Sequence, residues 1–178
     1  VGIYEDSKGR IWATTNGNGL LYLNEDKQEF VKYSEKIGQN ILDIQEDKYG
    51  QIWVSSDDGG VNIIDPKSKD ILKTFKVDDK DEHGLLSLRI SELFLDSRGD
   101  IWLGDSGEND FGVFKYNESV ENFKHYKKTD TDSLTLNSYE IGNFIEDDRE
   151  RMWVNTDGGV NLYDHENDVF YPSKKSEN

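Results

Sequence analysis

The chain has 178 residues, which is enough for one ordinary domain with its own hydrophobic core. Its 21 basic and 37 acidic residues give a net charge of −16, which disfavours binding to nucleic acid or to an anionic membrane surface. The absence of cysteine excludes disulfides and thiolate metal sites, and no run of about 18 apolar residues is present to span a membrane. Aromatic residues make up 12% of the chain, which is typical of a folded protein, and the acidic surface provides either simple solubility or binding of cations and polyhydroxylated ligands.

One nine-residue motif recurs four times and organises the whole chain. The copies are EDSKGRIWA from Glu5, EDKYGQIWV from Glu46, LDSRGDIWL from Leu95 and EDDRERMWV from Glu146. Every copy places an Asp six residues before a Trp, in the pairs Asp6 and Trp12, Asp47 and Trp53, Asp96 and Trp102, and Asp147 and Trp153. These are the only four Trp residues of the chain, and their separations of 41, 49 and 51 residues define a repeat that must be recognised before any local structure is assigned.

Each repeat predicts four short strands joined by tight turns, which is a meander. The first turn begins with the motif Asp, which can close it through backbone hydrogen bonds. In repeats one to three it ends with Gly9, Gly50 and Gly99, which tolerate a left-handed conformation, whereas repeat four has Glu150, so that either Glu150 adopts a positive φ or the turn changes type. The predicted strands cover residues 2–5, 10–15, 20–23 and 29–33, then 41–45, 51–55, 61–64 and 71–77, then 90–95, 100–104, 112–116 and 121–126, and finally 140–146, 151–155, 160–163 and 169–171.

The second strand of a repeat carries large apolar residues on both faces, as Ile52, Trp53 and Val54 show. A strand buried on one face would alternate apolar and polar residues, so these sheets must be covered on both sides. Radial stacking of four-stranded sheets in a β-propeller provides that cover. We therefore predict one all-β propeller module over residues 1–178, with blades at about 1–40, 41–89, 90–139 and 140–178 and with structural roles for the four Trp residues. Because the chain opens on Val1 inside a strand pattern, we expect part of a larger propeller, with four blades closed by side-chain packing as the alternative.

The aligned repeat, a strand followed by ED-x-x-G-x-I-W-V and a Gly-rich turn, resembles the two-component regulator propeller repeat. The resemblance covers nearly the whole chain and is strongest at residues 9–12, 50–53 and 157–160, and the phrase at residues 133–137 also fits it. It implies a periplasmic or extracellular sensor region of a Bacteroides-type hybrid two-component system that recognises glycan fragments, without catalysis by the module itself. It also implies further blades, other sensor domains and a histidine kinase in the parent protein.

Candidate ligand contacts lie in the turns between the second and third strands, because these turns gather with the inter-blade loops at one mouth of a propeller channel. Asp and Asn side chains can bind sugar hydroxyls there, although both are also ordinary turn residues. The expanded turn at residues 105–110 is the best candidate, since it departs from the repeat. The candidate ligand-binding residues are Asp57, Asp58, Asp105, Glu108, Asn109, Asp110 and Asp157.

No catalytic residue, metal site or cofactor is predicted. Adjacent acids such as Glu46 and Asp47 recur at one position of the repeat, which favours a role in the turn over acid–base catalysis. The three histidines, His83, His125 and His165, lie apart without a second ligand at metal-binding spacing.

Three functions remain open from the sequence. The first is an extracytoplasmic sensor module that binds an oligosaccharide and packs against further blades or sensor domains. The second is a propeller-fold polysaccharide lyase or glycosidase, which needs a His, Tyr or carboxylate cluster that the sequence does not show. The third is a protein–protein docking propeller. A homodimer is left open, whereas nucleic acid and membrane contacts are not expected.

Overall fold

The computed structural model describes residues 1–78, 80–81, 83–107 and 112–173, which form sixteen β-strands. Within these ranges no helix is long and apolar enough to cross a membrane. The strands are β1 (Gly2–Glu5), β2 (Ile11–Thr14), β3 (Leu20–Asn24), β4 (Glu29–Lys32), β5 (Ile41–Glu46), β6 (Ile52–Ser56), β7 (Gly60–Asp65), β8 (Asp70–Phe75), β9 (Ile90–Leu95), β10 (Ile101–Asp105), β11 (Val113–Asn117), β12 (Asn122–Tyr126), β13 (Ile141–Glu146), β14 (Met152–Thr156), β15 (Gly159–Asp164) and β16 (Val169–Pro172).

The strands form four antiparallel sheets, named here blades 1 to 4, and each blade takes its four strands in chain order. The predicted all-β meanders are confirmed, and every predicted strand boundary lies within two residues of the observed one. The eighth strand was predicted to reach Val77 but ends at Phe75, because Val77 leaves the sheet and forms a parallel bridge with Leu85. In a meander the first and third turns of all blades lie at one end, named the lower end, and the second turns and inter-blade connections lie at the other, named the upper end.

The Asp of the motif holds both its turn and its Trp. In blade 3, Asp96 Oδ1 accepts the backbone N–H groups of Arg98 at 3.0 Å and Asp100 at 2.8 Å, and Asp96 Oδ2 accepts the indole N–H of Trp102 at 2.9 Å. The same indole bond measures 2.9, 3.0 and 3.0 Å in the pairs Asp6–Trp12, Asp47–Trp53 and Asp147–Trp153. One carboxylate per blade therefore fixes the distance between the first turn and the second strand.

Blade 4 keeps the geometry of this turn although it lacks the Gly. Glu150 has a φ of 57°, and its backbone N–H donates to the carbonyl of Asp147 at 3.0 Å. The corresponding glycines have φ values of 78° to 84° and donate to the same carbonyl position at 2.9 to 3.0 Å. Of the two alternatives left by the sequence, the structure therefore has the positive φ, which places an exposed glutamate in a conformation that costs a side chain energy.

The third turn of every blade also contains a left-handed residue, at the position just before the fourth strand. An Asn or Asp at the start of the turn accepts a backbone N–H, as Asn24 does from Lys27 at 3.1 Å and Asp164 does from Glu166 at 2.8 Å. The four left-handed residues have φ values of 53° to 66° and are Gln28, Lys69, Glu121 and Asp168. The backbone of this turn is thus repeated while its left-handed side chain differs in every blade.

The hydrophobic core lies between the blades, in three clusters that fill the three junctions. Each cluster contains one Trp, and Trp12, Trp53 and Trp102 are at most 2% exposed. Trp53, for example, packs against blade 3, where its ring centroid lies 4.9 Å from that of Tyr116 in an edge-on contact and where Leu103 is fully buried in the same cluster. Each of these three Trp residues therefore stabilises the contact of its own blade with the next one.

An equivalent polar contact occurs at the lower end of two of the three junctions. The buried carboxylate of Glu46 in blade 2 accepts the backbone N–H and the hydroxyl of Ser7 in blade 1 at 2.6 and 2.7 Å. The carboxylate of Glu146 in blade 4 accepts the same two groups of Ser97 in blade 3 at 2.8 Å each. The corresponding residues at the junction of blades 2 and 3, which lacks this contact, are Lys48 and Leu95.

Blades 1 and 4 each leave one apolar face uncovered. Trp153 is only partly buried, and across its sheet Ile145 is 60% exposed and Tyr171 is 39% exposed. The opposite face of blade 1 exposes Ile3 to 78% and Phe30 to 45%. The Trp153 face of blade 4 and the Ile3 face of blade 1 are equivalent to the two faces that pack together at each junction, but here they do not pack against each other.

Replacing Glu150 by Gly should stabilise the protein. Gly removes the strain of a left-handed side chain, about 1–2 kcal/mol, at an entropic cost of about 0.5–1 kcal/mol. We expect the free energy of unfolding in urea to rise by about 0.5–1 kcal/mol. The matched control is Gly50→Ala in the equivalent turn of blade 2, where an added Cβ would meet only Glu46 Oε1 at 3.5 Å, so that φ determines its destabilisation. A loss of stability in Glu150→Gly would contradict the assignment of strain to this position.

Candidate ligand-binding site

The acids predicted to bind ligand in blade 2 lie at the upper end, where they hold the connection from blade 1. Asp58 accepts the backbone N–H of Gln39 through both carboxylate oxygens, at 3.0 and 3.1 Å. Asp57 Oδ2 accepts the side-chain amide of Asn40 at 3.3 Å, and the Asp57 N–H donates to the Asn40 carbonyl at 3.2 Å. Both acids are therefore occupied by the chain itself, although they remain exposed at its surface.

The other predicted acids are spread over blades 3 and 4. Asp105 is fully buried, and its Oδ1 accepts the Ser87 hydroxyl at 2.6 Å and the Gly107 N–H at 3.1 Å. Asp157 is exposed, and its backbone N–H donates to the carbonyl of Glu140 at 3.3 Å. The structure thus brings together Asp57 and Asp58, as sequence neighbours, but places Asp105 in the interior. The remaining candidates, which lie outside the described residues, are Glu108, Asn109 and Asp110.

Buried apolar side chains hold the inter-blade connections onto the upper end. Ile37, Leu85 and Leu136 are 0%, 1% and 2% exposed in the three connections. The Ile37 carbonyl also accepts the hydroxyl of Ser56 at 2.8 Å. Beside these anchors, described polar groups of the upper end pair with each other, as Asp58 does with Gln39 and Asp57 with Asn40.

Two acids on the innermost strands form a close pair that sequence analysis did not identify. Asp43 Oδ2 on β5 accepts the backbone N–H of Leu93 on β9 at 2.6 Å, which places its carboxylate beside Glu92. Burial raises the pKa of Asp43. Burial, together with the negative charge of Asp43, raises the pKa of the Glu92 carboxyl to about 7. The corresponding residue of blade 4 is the neutral Asn143, so this titratable pair belongs to the junction of blades 2 and 3.

The Glu92 carboxyl should make the stability of the protein depend on pH. Its pKa is about 7 in the folded protein, above the ordinary value of 4.5, so the folded state binds the proton more tightly than the unfolded state. The resulting stabilisation is complete below pH 4.5 and is lost as the pH rises through about 7. We expect the Glu92→Gln variant to be more stable than the wild type at pH 8 and to lose less stability than the wild type between pH 5 and pH 8.

Urea unfolding midpoints of both proteins across this pH range measure the effect. The difference between the two proteins reports Glu92 together with its coupling to Asp43, because the remaining titrating groups are common to both. Parallel pH profiles would contradict the raised pKa.

A wide cleft of about 1070 Å³ opens at the lower end of blades 2, 3 and 4, and we name it the lower cleft. The first turns of blades 2 and 3 and the third turns of blades 3 and 4 surround it. Its walls include residues 47–49, 99–101 and 115–119 together with Lys73, Glu121, Lys124, Tyr126, Tyr163, His165 and Asp168. The described acids that were predicted to bind ligand do not line it, because they follow the second strands of their blades; they are Asp57, Asp58, Asp105 and Asp157.

One carboxylate organises the wall of the lower cleft between blades 3 and 4. Asp168 accepts the hydroxyl groups of Tyr126 and Tyr163 and the ammonium group of Lys124. Burial opposes ionisation of Asp168, but these hydrogen bonds outweigh it and lower the pKa of the carboxyl. Burial and the bond to Asp168 raise the pKa of both tyrosines, so at neutral pH the two hydroxyls are donors to an ionised acid.

His165 also belongs to this wall, and one of its ring nitrogens makes no hydrogen bond within the described residues. Its ring lies edge-on to Tyr163 with the ring centroids 4.8 Å apart. Burial, and then the positive charge of Arg98, lower the pKa of His165, so the ring is neutral at pH 7. The Nε2 atom is buried and has no hydrogen-bond partner within the described part of the chain. This unpaired atom is satisfied when a small rotation of the ring brings it to a water molecule or a ligand hydroxyl in the cleft.

Residues 36–58 match the family model described as two component regulator propeller. The matched stretch contains β5, the motif copy that begins at Glu46, and β6. The resemblance predicted from the repeat is confirmed over this stretch. No curated protein sequence matches the chain significantly.

Solved structures of three other proteins share the architecture of the chain. The extracellular domain of BT4673 from B. thetaiotaomicron, which is assigned to the hybrid two component systems, has a TM-score of 0.74 at 21% identity, covering 99% of this chain and 24% of that one. PorZ, a bacterial surface component of the type-IX secretion system of Porphyromonas gingivalis, has a TM-score of 0.70 at 16% identity, covering 100% and 27%. Virginiamycin B lyase from Staphylococcus aureus has a TM-score of 0.68 at 15% identity, covering 97% and 55%.

These comparisons confirm the predicted β-propeller fold. At identities this low they show a shared fold and no shared activity, and the three proteins include an enzyme. The chain spans about a quarter of the length of the BT4673 and PorZ chains. Four blades of this kind are therefore found within longer proteins.

The lower cleft was not predicted from the sequence, because the candidate ligand contacts were placed in the second turns, at the upper end. The signal was present in the third turns, where the left-handed residue changes from blade to blade. The expanded turn at residues 105–110 was selected because it departs from the repeat. The same criterion would also have identified Glu121 and Asp168.

Proposed function

We propose that this chain is a non-catalytic, ligand-binding propeller module of an extracytoplasmic sensor in a two-component signalling system. The observation that carries the proposal is the match of residues 36–58 to the regulator propeller model, within a motif that the chain repeats four times. A location in the periplasm or outside the cell is supported by the similar structure of BT4673, which is an extracellular domain.

The structural use of the paired acids supports the absence of catalysis. Asp47 accepts the indole N–H of Trp53 at 3.0 Å, and the neighbouring Glu46 accepts two groups of Ser7. His125 Nε2 lies 3.0 Å from the carbonyl of Gly84, in a contact with the backbone. These side chains serve the fold, so they do not form an acid–base pair at a ligand site.

The ligand that we propose is a glycan fragment. The proposal follows from the resemblance of the repeat to sensor propellers and from the polar, aromatic character of the exposed cleft at the lower end. A propeller enzyme acting on a polysaccharide is the competing assignment.

A panel of oligosaccharides tests both parts of the proposal. We expect at least one member to raise the melting temperature of the protein without being cleaved, as measured by thermal shift and by the release of reducing ends or unsaturated products. Linkage requires that a ligand of the folded state stabilises it by about 2.7 kcal/mol at a concentration of 100 times its Kd. Turnover of any member would refute the non-catalytic assignment, and a panel without any shift would refute the glycan ligand.

We further propose that other propeller blades cover the open faces of blades 1 and 4. Trp153 is partly exposed, on a face whose equivalents in blades 1 to 3 are buried against the next blade. Asp148 occupies the position of Ser7 and Ser97, so a covering blade with Glu at the position of Glu46 would place two negative charges together. The first blade of a second copy carries Glu5 there, which disfavours head-to-tail association of the chain with itself.

Fusing an additional copy of residues 90–126 behind the chain, with Phe at the Trp102 position of the copy so that no new indole is exposed, should cover Trp153. This copy presents Leu95 towards Asp148, and we expect it to shift the tryptophan emission to the blue by removing the one partly exposed indole. A fused copy of residues 41–75, also with Phe at its Trp53 position, presents Glu46 to Asp148; it is the matched control and should shift the emission less. An unshifted emission with both copies would contradict the proposed cover, and Trp153→Phe in the unfused chain identifies the exposed component.

A further inference from the structure

We propose that the lower cleft is the binding site for an uncharged, polyhydroxylated ligand such as a neutral oligosaccharide segment. The inference rests on the proposed glycan-binding function and assigns it a place and a ligand chemistry. It moves the site from the loops of the upper end, where the sequence predicted it, to the opposite end of the blades.

The charges of the lower cleft argue against an anionic ligand. Its walls carry four lysines, and each of them already forms an ion pair within the protein. The pairs are Lys48–Glu118 at 3.0 Å, Lys73–Glu121 at 2.6 Å, Lys115–Asp100 at 2.6 Å, and Lys124–Asp168. An anion would have to displace a carboxylate from one of them, in a chain whose net charge of −16 already repels it.

A purely apolar ligand is disfavoured by the same ion pairs. Covering them with hydrocarbon would remove water from charged groups whose remaining hydrogen-bonding capacity is then unsatisfied. Hydroxyl groups avoid this cost, because each can donate to a carboxylate oxygen and accept from an ammonium group without breaking the pair. The cleft therefore favours a ligand with many neutral donors and acceptors.

Aromatic side chains provide the apolar contact that a sugar ring also requires. Tyr49 at the rim is 61% exposed, with the Lys48 ammonium 5.2 Å from its ring centroid. Tyr116 lines the wall and is partly exposed, whereas Tyr163 is only 3% exposed and supports the wall from behind through the hydrogen bond of its hydroxyl to Asp168. A sugar ring presents C–H groups on its faces and hydroxyls at its edge, which matches tyrosines that alternate with ion pairs.

The size and the unpaired polar atom of the cleft fit this assignment. Ligand pockets of about 300–1,000 Å³ enclose drug-sized molecules, so a cleft of about 1070 Å³ accommodates several sugar units. The His165 Nε2 atom has no hydrogen-bond partner within the described residues, and because it is buried, a ligand hydroxyl reaches it only after the ring rotates towards the cleft.

Two pairs of variants of the full chain locate the site. Tyr49→Ala removes the exposed ring at the cleft rim, and Tyr171→Ala is its control outside the cleft. Asp168→Asn removes the organising charge while Asn still tolerates the left-handed φ of 57°, and Asp157→Asn makes the same chemical change at the predicted upper site. The probes are neutral hexasaccharides of glucose, mannose and xylose, with a hexagalacturonate as the anionic arm, measured by isothermal titration calorimetry.

We expect a neutral hexasaccharide to bind the wild type, with Kd raised about tenfold or more by each cleft variant and changed less than about twofold by each control. Preferred binding of the galacturonate would overturn the neutral ligand class. Loss of binding in Asp157→Asn with full binding in Tyr49→Ala would overturn the site but leave the proposed function intact. Binding of no oligosaccharide at all would overturn the proposed glycan function together with the site.

Hydrogen exchange of the wild type gives a second measurement that does not depend on variants. Bound hexasaccharide should slow exchange of the backbone amides in residues 47–50 and 117–119 at the lower end. Slowed exchange at residues 57–60 and 157–159 instead would place the ligand at the upper end and refute the lower cleft.

Discussion

The hydrogen bond from each tryptophan indole to the Asp that starts the same motif is the contact on which the rest of the fold depends. It measures 2.9 to 3.0 Å in all four blades and joins a turn at the lower end to the second strand of the sheet. An indole N–H without an acceptor would be costly in the core, so the carboxylate allows a large ring to be buried there. Because the carboxylate also closes the turn, the turn and the packing of the ring form together.

The position of the ring then determines how the blades assemble. A sheet with an apolar ring on one face and large aliphatic residues on the other has no stable solvent-exposed form, so each blade needs a neighbour on both sides. Trp12, Trp53 and Trp102 have that neighbour, and Trp153 does not. The polar contacts of Glu46 with Ser7 and of Glu146 with Ser97 add direction to two of the junctions, because hydrogen bonds fix the relative position of two sheets more narrowly than apolar contact does.

The fold could be predicted from the sequence because the same motif, with an Asp six residues before a Trp, occurs four times. The predicted strand boundaries lie within two residues of the observed ones. The positive φ of Glu150 was one of two predicted outcomes, because the other three repeats have Gly at this position. The candidate site was harder to predict, since it is built by side chains that meet only after the blades have packed. The nearness of Asp43 to Glu92 and the contact of Tyr126 with Asp168 both join residues of different blades that are far apart in sequence. An acid in a turn looks the same in the sequence whether it holds the chain, as Asp58 does, or faces an open cleft.

The third turns have a consequence for how such a module can change its ligand. Their left-handed position holds Gln, Lys, Glu and Asp in the four blades on one common backbone, so the backbone there does not depend on the side chain. In blades 3 and 4 this position contributes Glu121 and Asp168 to the lower cleft. A repeat protein of this design can change the lining of the proposed binding cleft at single positions without changing its scaffold. New specificities can then arise by substitution within an unchanged frame, without insertion of loops and without loss of the packing between blades.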